Sequence, residues 1–321
     1  MKTVTPRGMR LGLAMALSIV LVGCASAPPT PPVPGALPSP SVTVIPSPGP
    51  GPSVPAAEKR VAHIGLALGG GAARGFAHVG VIQALEEAGI RPELVAGTSA
   101  GSLVAALYAS GKNSTQLKKV ADSMEEAEIT DWMIPILNRG ALRGEALARY
   151  VNTQVGGLSI EQMKLPLGIV ATDLQSGEPM LFRRGSTGTA VRASSAVPGV
   201  FQPVRLGSRE YVDGGLVSPV PVRQAREMGA NFVIAVDISS DPEGNLAGDT
   251  FQILMQTFTI MGKSLNSYGL KDANLVVRPA LTGVKSADFT SRRRSIEAGH
   301  AAMQKLIPRL RELLLQFENG R

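Results

Sequence analysis

From Arg60 onward, short apolar runs alternate with segments of helical periodicity, and this alternation constrains the fold more than any other feature of the chain. The runs VAHIGLAL, ELVAG, LPLGIVATDL and NFVIAVDIS are strand-like, and helical segments lie between them. Apolar residues at consecutive positions are typical of strands buried on both faces of a parallel sheet. The pattern therefore predicts a three-layer α/β/α fold with a mainly parallel central sheet.

Local signals predict where several of these elements end. Gly89 and Gly111 follow the first two helical segments, as glycine does at helix C-termini. NLVVRP is a further candidate strand. The segment RSIEAGHAAMQKLIPRLRELLLQF has an amphipathic pattern and predicts a closing helix despite Pro308.

The first of two glycine motifs is GGGAARG (Gly69 to Gly75), and it follows the first predicted strand, where the functional loops of a parallel sheet lie. It does not keep the register of the dinucleotide fingerprint G-x-G-x-x-G. No Gly-Lys-Ser/Thr follows it, as a phosphate-binding P-loop would require. Two interpretations stay open: a tight strand–helix turn, or an oxyanion hole formed by glycine amides at a helix N-terminus.

The second motif, GTSAG (Gly97 to Gly101), places Ser99 where the second predicted strand is followed by a helix. A serine at such a junction is typical of a nucleophile elbow, because glycines on both sides tolerate the strained turn. A small-residue turn that packs a helix against a strand explains the motif equally well. To act as a nucleophile, Ser99 also needs a base.

The chain offers one histidine and one aspartate as that base. Of the three histidines, only His300 follows Ser99, as the order serine, acid, histidine of the α/β-hydrolases requires, but it lies within a predicted helix. Asp213, in REYVDGGLVSPVPV, follows a short strand and precedes two glycines that let the backbone approach another loop closely. Asp213 is the better candidate base, although Asp-Gly taken alone is also a common turn dipeptide.

Four segments together resemble a known family. GLALGGGAARGFAHVGVIQALEE, GTSAGSLVAALYASG, VRASSAVPGVFQPV and YVDGGLVSPVPV are similar, in this order, to the signature blocks of the patatin-like phospholipases. The resemblance implies a three-layer α/β fold and a Ser–Asp dyad that works without histidine. Ser99 matches the family's nucleophile, and Asp213 matches its partner. The family's oxyanion loop and the basic residue beside it match Gly69, Gly70, Gly71 and Arg74.

In the reaction that the resemblance implies, Asp213 accepts the Ser99 proton while the serine oxygen attacks an ester carbonyl. The acyl-enzyme that forms is then hydrolysed by water. No metal and no cofactor is expected, because the sequence has no residue cluster with metal-ligand spacing. The expected substrates are phospholipids, lysophospholipids or other acyl esters. Two alternatives stay open: an acyltransferase that uses the same site, and a lipid-binding protein without catalysis.

Two further features bear on lipid recognition. The segment from Met124 to Leu147 could form a lid or an acyl groove, and a helix packed on the core is the alternative interpretation. The apolar residues that favour a lid or groove are Trp132, Met133, Ile134 and Leu137. Arg74 could contact a lipid phosphate or be paired within the fold.

The first residues have the anatomy of an export signal. Lys2, Arg7 and Arg10 precede the apolar run LGLAMALSIVLVG, which is well short of the about 20 residues of a membrane-spanning helix. The run ends at LVGC, which is similar to a bacterial lipobox, so Cys24 is the expected site of lipidation. An ordinary signal peptide is the alternative, but Cys24 is the only cysteine, and acylation would remove an unpaired exported thiol.

These features predict three regions. Residues 1–23 are expected to form a lipoprotein signal peptide, and residues 24–59 the lipidated cysteine with a Pro- and Ser-rich linker that cannot bury enough apolar surface to fold. Residues 60–321 are expected to form the patatin-like hydrolytic domain. The protein would be an exported bacterial lipoprotein held at a membrane by Cys24, at the outer membrane or periplasmic face in a Gram-negative cell.

Composition argues against a nucleic-acid partner. Aromatic residues make up only 4% of the chain, which leaves few side chains for base stacking. The formal net charge is +7, but three of the positive charges precede Cys24. The remaining excess is compatible with mild attraction to anionic lipid headgroups. The sequence makes no prediction about the oligomeric state.

Overall fold

The computed structural model describes residues 60–131, 140–242, 248–285 and 288–320. The strands are β1 (Ile64–Leu68), β2 (Leu94–Thr98), β3 (Gly140–Leu142), β4 (Leu167–Asp173), β5 (Pro179–Phe182), β6 (Gly199–Phe201), β7 (Val204–Leu206), β8 (Arg209–Asp213), β9 (Phe232–Val236) and β10 (Leu275–Val277). The helices are α1 (Ala77–Glu87), α2 (Ala100–Ala109), α3 (Ser114–Ser123), α4 (Glu126–Ile129), α5 (Glu145–Gln154), α6 (Thr187–Ser194), α7 (Val222–Glu227), α8 (Thr250–Gly269) and α9 (Arg292–Glu318).

A mostly parallel sheet forms the centre of the described chain. Its strands follow the order β10-β9-β1-β2-β4-β8-β7, and β5 also pairs with β4. Strands β10, β9, β1, β2 and β4 are parallel neighbours, whereas β5 and β8 run antiparallel to β4. Strands β3 and β6 form a separate parallel pair. The predicted α/β fold with a mainly parallel sheet is confirmed.

Alternate side chains of the central strands enter two different apolar cores. Leu66 and Leu68 of β1 pack into the larger core with residues of α1, α2 and α9. Ala67, between them, packs into the core on the other face of the sheet, together with Val222 and Ala225 of α7. Successive side chains of a strand point to opposite faces of the sheet. Because both faces of this sheet are covered by an apolar core, consecutive positions of its strands are apolar.

The predicted ends of α1 and α2 are confirmed, because a glycine in the left-handed conformation follows each helix. Gly89 and Gly111 have φ of +74° and +98°. Glycine adopts this conformation at little steric cost, which is why it ends helices so often. The closing helix is also confirmed, since α9 continues through Pro308.

Strand β4 brings the ends of β2 and β8 together. Strand β5 pairs with residues 169–172 of β4, along one edge of that strand. Some of these same residues also pair with β2, and others with β8. Strands β2 and β8 must therefore both lie along the other edge of β4. β2 runs parallel to β4 and ends with Thr98 opposite Val170. β8 runs antiparallel and ends with Asp213 opposite Ala171, the next residue. The carboxyl ends of β2 and β8 therefore meet, which places Ser99 beside Asp213.

Several expectations fall on residues that the structure does not describe. The predicted signal peptide, Cys24 and the Pro-rich linker lie outside the described ranges, and so do Trp132, Met133, Ile134 and Leu137. Among the described helices, none has both the length and the hydropathy needed to cross a membrane.

Candidate active site

Ser99 occupies a strained turn between β2 and α2. Its φ is +52° and its ψ −123°, a conformation that residues other than glycine rarely adopt. A Cβ atom on Gly97 would lie 2.5 Å from Gly101 O, and a Cβ on Gly101 would overlap Leu68 O. Both glycines are therefore needed for α2 to begin so close to the strands. The structure confirms the predicted strand–turn–helix junction with serine at its apex.

Hydrogen bonds from two other serines hold this turn. The Ser99 N–H donates to Ser194 Oγ at 2.8 Å, and the Ser194 hydroxyl donates to Val170 O at 2.5 Å. The N–H and hydroxyl of Ser102 donate to Ser99 O at 2.8 and 2.6 Å. Neither Ser102 nor Ser194 stood out in the sequence, because each belongs to a run of small residues without a chemical signature of its own.

Asp213 lies at the end of β8 with only 7% of its surface exposed. A Cβ on the following residue, Gly214, would overlap Val170 O, so the close backbone approach expected here is present. Asp213 Oδ1 accepts a hydrogen bond from Gly215 N–H at 2.7 Å. Within the described chain, Oδ2 is buried and has no hydrogen-bond partner. One carboxylate oxygen is therefore held in place, and the other is free to accept a proton.

Burial raises the pKa of Asp213 to about 6, against the opposing effects of the Ser99 side chain and the Gly215 amide. The Ser99 hydroxyl is thus near enough to lower the pKa of the carboxyl, although Asp213 Oδ2 makes no well-aligned hydrogen bond with it. Catalytic hydrogen bonds are often loose before substrate binds. Asp213 is a carboxylate of unusually high proton affinity beside a candidate nucleophile.

The structure does not bring a histidine to Ser99. His300 lies on α9 with its Nε2 atom 2.7 Å from Glu87 Oε2 on α1, and His63 pairs with Glu93. His78 is buried, and its Nε2 is 2.8 Å from Gly69 O. Burial lowers the pKa of His78 to about 4, so its ring is neutral and donates to that carbonyl. The alternative with His300 as the base does not fit this geometry.

The glycine loop lies against Ser99, but two of its three amides are already used. A Cβ on Gly70 would lie 3.2 Å from Ser99 Cβ. The N–H groups of Gly69 and Gly70 donate to Val236 O at 3.0 Å and Pro219 O at 2.9 Å. Contrary to the prediction, neither amide is free to bind an oxyanion in this arrangement, because Gly69 is bonded to the last residue of β9 and Gly70 to the loop before α7. Within the described residues, Gly71 N–H has no such partner and is the remaining donor.

Arg74 lies in the 3₁₀ turn that follows the glycine loop and lines the same cavity as Ser99. Its side chain is buried, and its Nε has no hydrogen-bond partner in the described part of the protein. Burial lowers the pKa of Arg74 to about 10, while attraction to Asp237 opposes that shift. Arg74 therefore stays positively charged at neutral pH.

Ser99 and Asp213 open onto a cavity of about 610 Å³, a volume typical of small-molecule sites. Besides Ser99, Asp213, the glycine loop and Arg74, its walls are mostly apolar. Much of the lining comes from α2, α3 and α8, and from the described flanks of the expected acyl groove: Leu103, Leu107, Leu117, Met124, Ile129, Leu142, Leu147, Phe251, Met255 and Phe258. Such a cavity can hold an acyl chain with its ester at Ser99.

The part of the chain that carries this site is similar to known proteins. The sequence profile of the patatin-like phospholipases matches residues 66–226, half of the chain. An NTE family protein of Mycobacterium tuberculosis is 38% identical over 182 residues, which are 56% of this chain and 50% of that protein. Patatin-like phospholipase domain-containing protein 6 of Homo sapiens is 34% identical over 215 residues, which are 65% of this chain and 15% of that protein.

A solved structure shares the fold. VipD from Legionella pneumophila superimposes with a TM-score of 0.53 at 17% identity, over 78% of this chain and 68% of that one. The chain spans about half the length of the mycobacterial relative and a much smaller share of the human one. The profile match covers β1 to α7 and includes Ser99 and Asp213. The chain belongs to the patatin-like phospholipase family.

Proposed function

We propose that the protein is a lipid acyl hydrolase that cleaves carboxylic esters through a Ser99–Asp213 dyad. The observation that carries the proposal is the position of Ser99. It lies in a strained turn beside a buried carboxylate with one free oxygen, at the wall of an apolar cavity. A serine in an ordinary turn needs neither the buried acid nor the cavity.

In the proposed reaction, Asp213 takes the hydroxyl proton of Ser99 as Oγ attacks the ester carbonyl carbon. The Gly71 N–H stabilises the negative charge that develops on the carbonyl oxygen. Collapse of this intermediate breaks the ester bond, and Asp213 returns the proton to the leaving alcohol. Asp213 then takes a proton from a water molecule that attacks the carbonyl carbon of the acyl-Ser99 ester. The bond to Oγ breaks, Asp213 returns the proton to Oγ, and the fatty acid is released.

The substrate class follows from the cavity and from the charge beside it. Apolar walls favour a long acyl chain over a short or polar acid. Arg74 places a positive charge in the wall of the cavity that Ser99 also lines, and a phosphate in the substrate would be attracted to it. We therefore propose phospholipids or lysophospholipids as substrates.

Covalent labelling tests the dyad directly. A fluorophosphonate probe should label the wild-type chain, and Ser99→Ala should abolish both the labelling and the release of fatty acid from phospholipid. His300→Ala is the matched control and should keep both. If the folded wild-type chain is not labelled, the proposal fails, and the alternative of a lipid-binding protein without catalysis is favoured. Product analysis with an added alcohol would distinguish hydrolysis from acyl transfer.

We also propose that residues 1–23 are removed on export, that Cys24 carries the lipid anchor, and that residues 24–59 tether the hydrolytic domain to the membrane. The support is the basic and apolar N-terminus, the LVGC sequence and the single cysteine. Metabolic labelling with an alkyne-bearing palmitate should mark the wild-type chain, whereas Cys24→Ala should remain unmarked. Equal labelling of both chains would contradict the anchor.

A further inference from the structure

Helix α8 differs from the other described helices because its outward face carries many exposed apolar side chains. The described residues include nine exposed large apolar side chains, and six of these lie on α8: Phe251, Ile253, Leu254, Ile260, Met261 and Tyr268. A surface helix in contact with water normally carries charged residues on its outer face. The only charged residue between Thr250 and Gly269 is Lys263, and its ammonium group pairs with Asp241 at 3.0 Å.

This apolar face continues into the cavity that holds Ser99. The inward side of α8 lines the cavity through Met255 and Phe258. Phe251 and Met261 belong to both surfaces, because they line the cavity and are also 49% and 48% exposed. The exposed apolar face and the wall of the cavity are therefore joined through these two side chains.

Positive charge lies at the C-terminal end of the same helix. The Lys271 ammonium is 5.3 Å from the centre of the Tyr268 ring. Lys271 also lines a surface depression with Arg223 and Arg226, in which Asp272 is the one acidic residue. Tyrosine is suited to the boundary between apolar and polar regions of a membrane, and basic side chains are attracted to anionic headgroups.

We propose that the outer face of α8 binds the surface of a lipid bilayer that contains anionic phospholipid, so that acyl chains enter the cavity along this helix. An exposed apolar helix face with basic residues at its margin is typical of helices that lie in the membrane interface. The entry of acyl chains into the cavity rests on the proposed function, but the contact between α8 and the bilayer requires no catalysis. A second copy of the chain could cover the apolar face, yet it would explain neither the opening into the cavity nor the basic end.

A fluorescent label on α8 tests the contact. The full chain is prepared with Cys24→Ala, which removes the native thiol, and with Ser99→Ala, which keeps the lipid intact. A single cysteine is then introduced by Ile260→Cys or, as the matched control, by Leu315→Cys on α9, where the native leucine is also exposed. Each thiol carries an environment-sensitive nitrobenzoxadiazole group. Both chains keep the same N-terminus, so any membrane binding there is common to them.

Vesicles of phosphatidylcholine with phosphatidylglycerol should shift the emission of the Ile260→Cys label to shorter wavelength and increase its intensity. The Leu315→Cys label should not respond. The proposal is overturned if neither label responds or if both respond equally. It is also overturned if the Ile260→Cys label shifts with rising protein concentration in the absence of vesicles, since that result assigns the face to a second copy.

Measuring hydrolysis in the chain with native Ser99 is a second, independent test of the contact between α8 and the bilayer. Ile253→Gln with Ile260→Gln removes two apolar side chains that do not line the cavity, and glutamine is compatible with a helix. This variant should lose about tenfold or more of its activity on phospholipid vesicles, because binding to the interface scales with buried apolar area. Its activity on a soluble short-chain ester should remain within about twofold of the wild type.

The matched control for hydrolysis is Val61→Gln with Leu315→Gln, which removes two exposed apolar residues elsewhere. It should leave both activities unchanged. Equal loss of vesicle activity in the two double variants would overturn the inference. A wild-type chain that cleaves neither substrate would instead defeat the proposed function, while the fluorescent label would still report whether α8 meets the bilayer.

Discussion

Asp213 and Glu87 are both carboxylates next to a candidate catalytic partner, yet their surroundings act on them in opposite directions. Asp213 is buried beside Ser99, and burial raises its pKa to about 6. Glu87 lies on the surface of α1, where hydrogen bonds from His300 and then Gln83 lower its pKa. The Glu87 carboxylate is fully engaged, whereas Asp213 keeps one oxygen without a partner.

Under the proposed mechanism, the location of an acid–base pair, and not its residue types, decides whether the pair can take part in catalysis. Histidine is the more common base for a serine, but His300 already holds an exposed carboxylate away from the cavity. Asp213 is a weaker base by type, and the low dielectric around it increases its affinity for a proton. We expect variants of these two pairs to differ in effect by orders of magnitude.

The largest difference should come from Asp213→Asn. Amide nitrogen cannot accept the Ser99 proton, so kcat should fall by about 10²–10⁴-fold while the fold is retained. Steady-state hydrolysis of a soluble ester, with circular dichroism to check folding, measures this effect. Activity within tenfold of the wild type would mean that Asp213 is not the base.

The same substitution should raise stability at alkaline pH. The pKa of Asp213 rises from 3.8 to about 6 on folding, so its contribution to stability is present below pH 4 and is lost as pH rises through 6. The loss is on the order of 3 kcal/mol, and asparagine avoids it. Thermal unfolding at pH 8 should therefore occur a few degrees higher in Asp213→Asn than in the wild type. A lower melting temperature at pH 8 would contradict the burial argument.

Next in size is the effect of pH on the wild type. Asp213 must be ionised to act, so kcat/KM should fall about tenfold for each pH unit below about 6 and reach a plateau above it. The decline should persist in Glu87→Gln, whose substituted carboxyl lies outside the cavity. A decline centred near the ordinary aspartate pKa would show that burial does not control the base.

A smaller loss should follow from Ser194→Ala. This change removes the acceptor of the Ser99 N–H and the donor to Val170 O, so the strained turn loses support. We expect kcat to fall about tenfold with KM little changed, together with about 1–3 kcal/mol of stability. Ser194→Thr keeps the hydroxyl and should restore part of kcat if the hydrogen bond is what matters.

The smallest effect should come from Glu87→Gln with His300→Ala. This pair lies on the surface, where such interactions contribute at most about 1 kcal/mol. Ester hydrolysis should remain within about twofold of the wild type, and the melting temperature should fall only slightly. If this double variant folds but loses activity, the Glu87–His300 pair would also matter for hydrolysis. His300 would then again be a candidate catalytic base.

Much of the site could be predicted because its signals are local. The change from an apolar run to a helical pattern at GTSAG reports the strand–helix junction around Ser99, and the glycines on either side report the close packing there. Asp213 was predicted through its agreement with the other signature blocks. The amide partners of Gly69 and Gly70 could not be predicted, because Val236 and Pro219 are far away in the sequence.

The sequence by itself determined the alternation of strands and helices, the helix ends at Gly89 and Gly111, and the choice of Ser99 and Asp213 as candidate residues. Only the tertiary structure decided that β2 and β8 meet end to end on β4, that Ser194 supports the turn, and that the face of α8 is exposed. The physical reason is the distance along the sequence between the residues that interact. Periodicity and capping depend on neighbours within a few residues, whereas strand register, burial and the pKa of Asp213 depend on segments that only folding brings together.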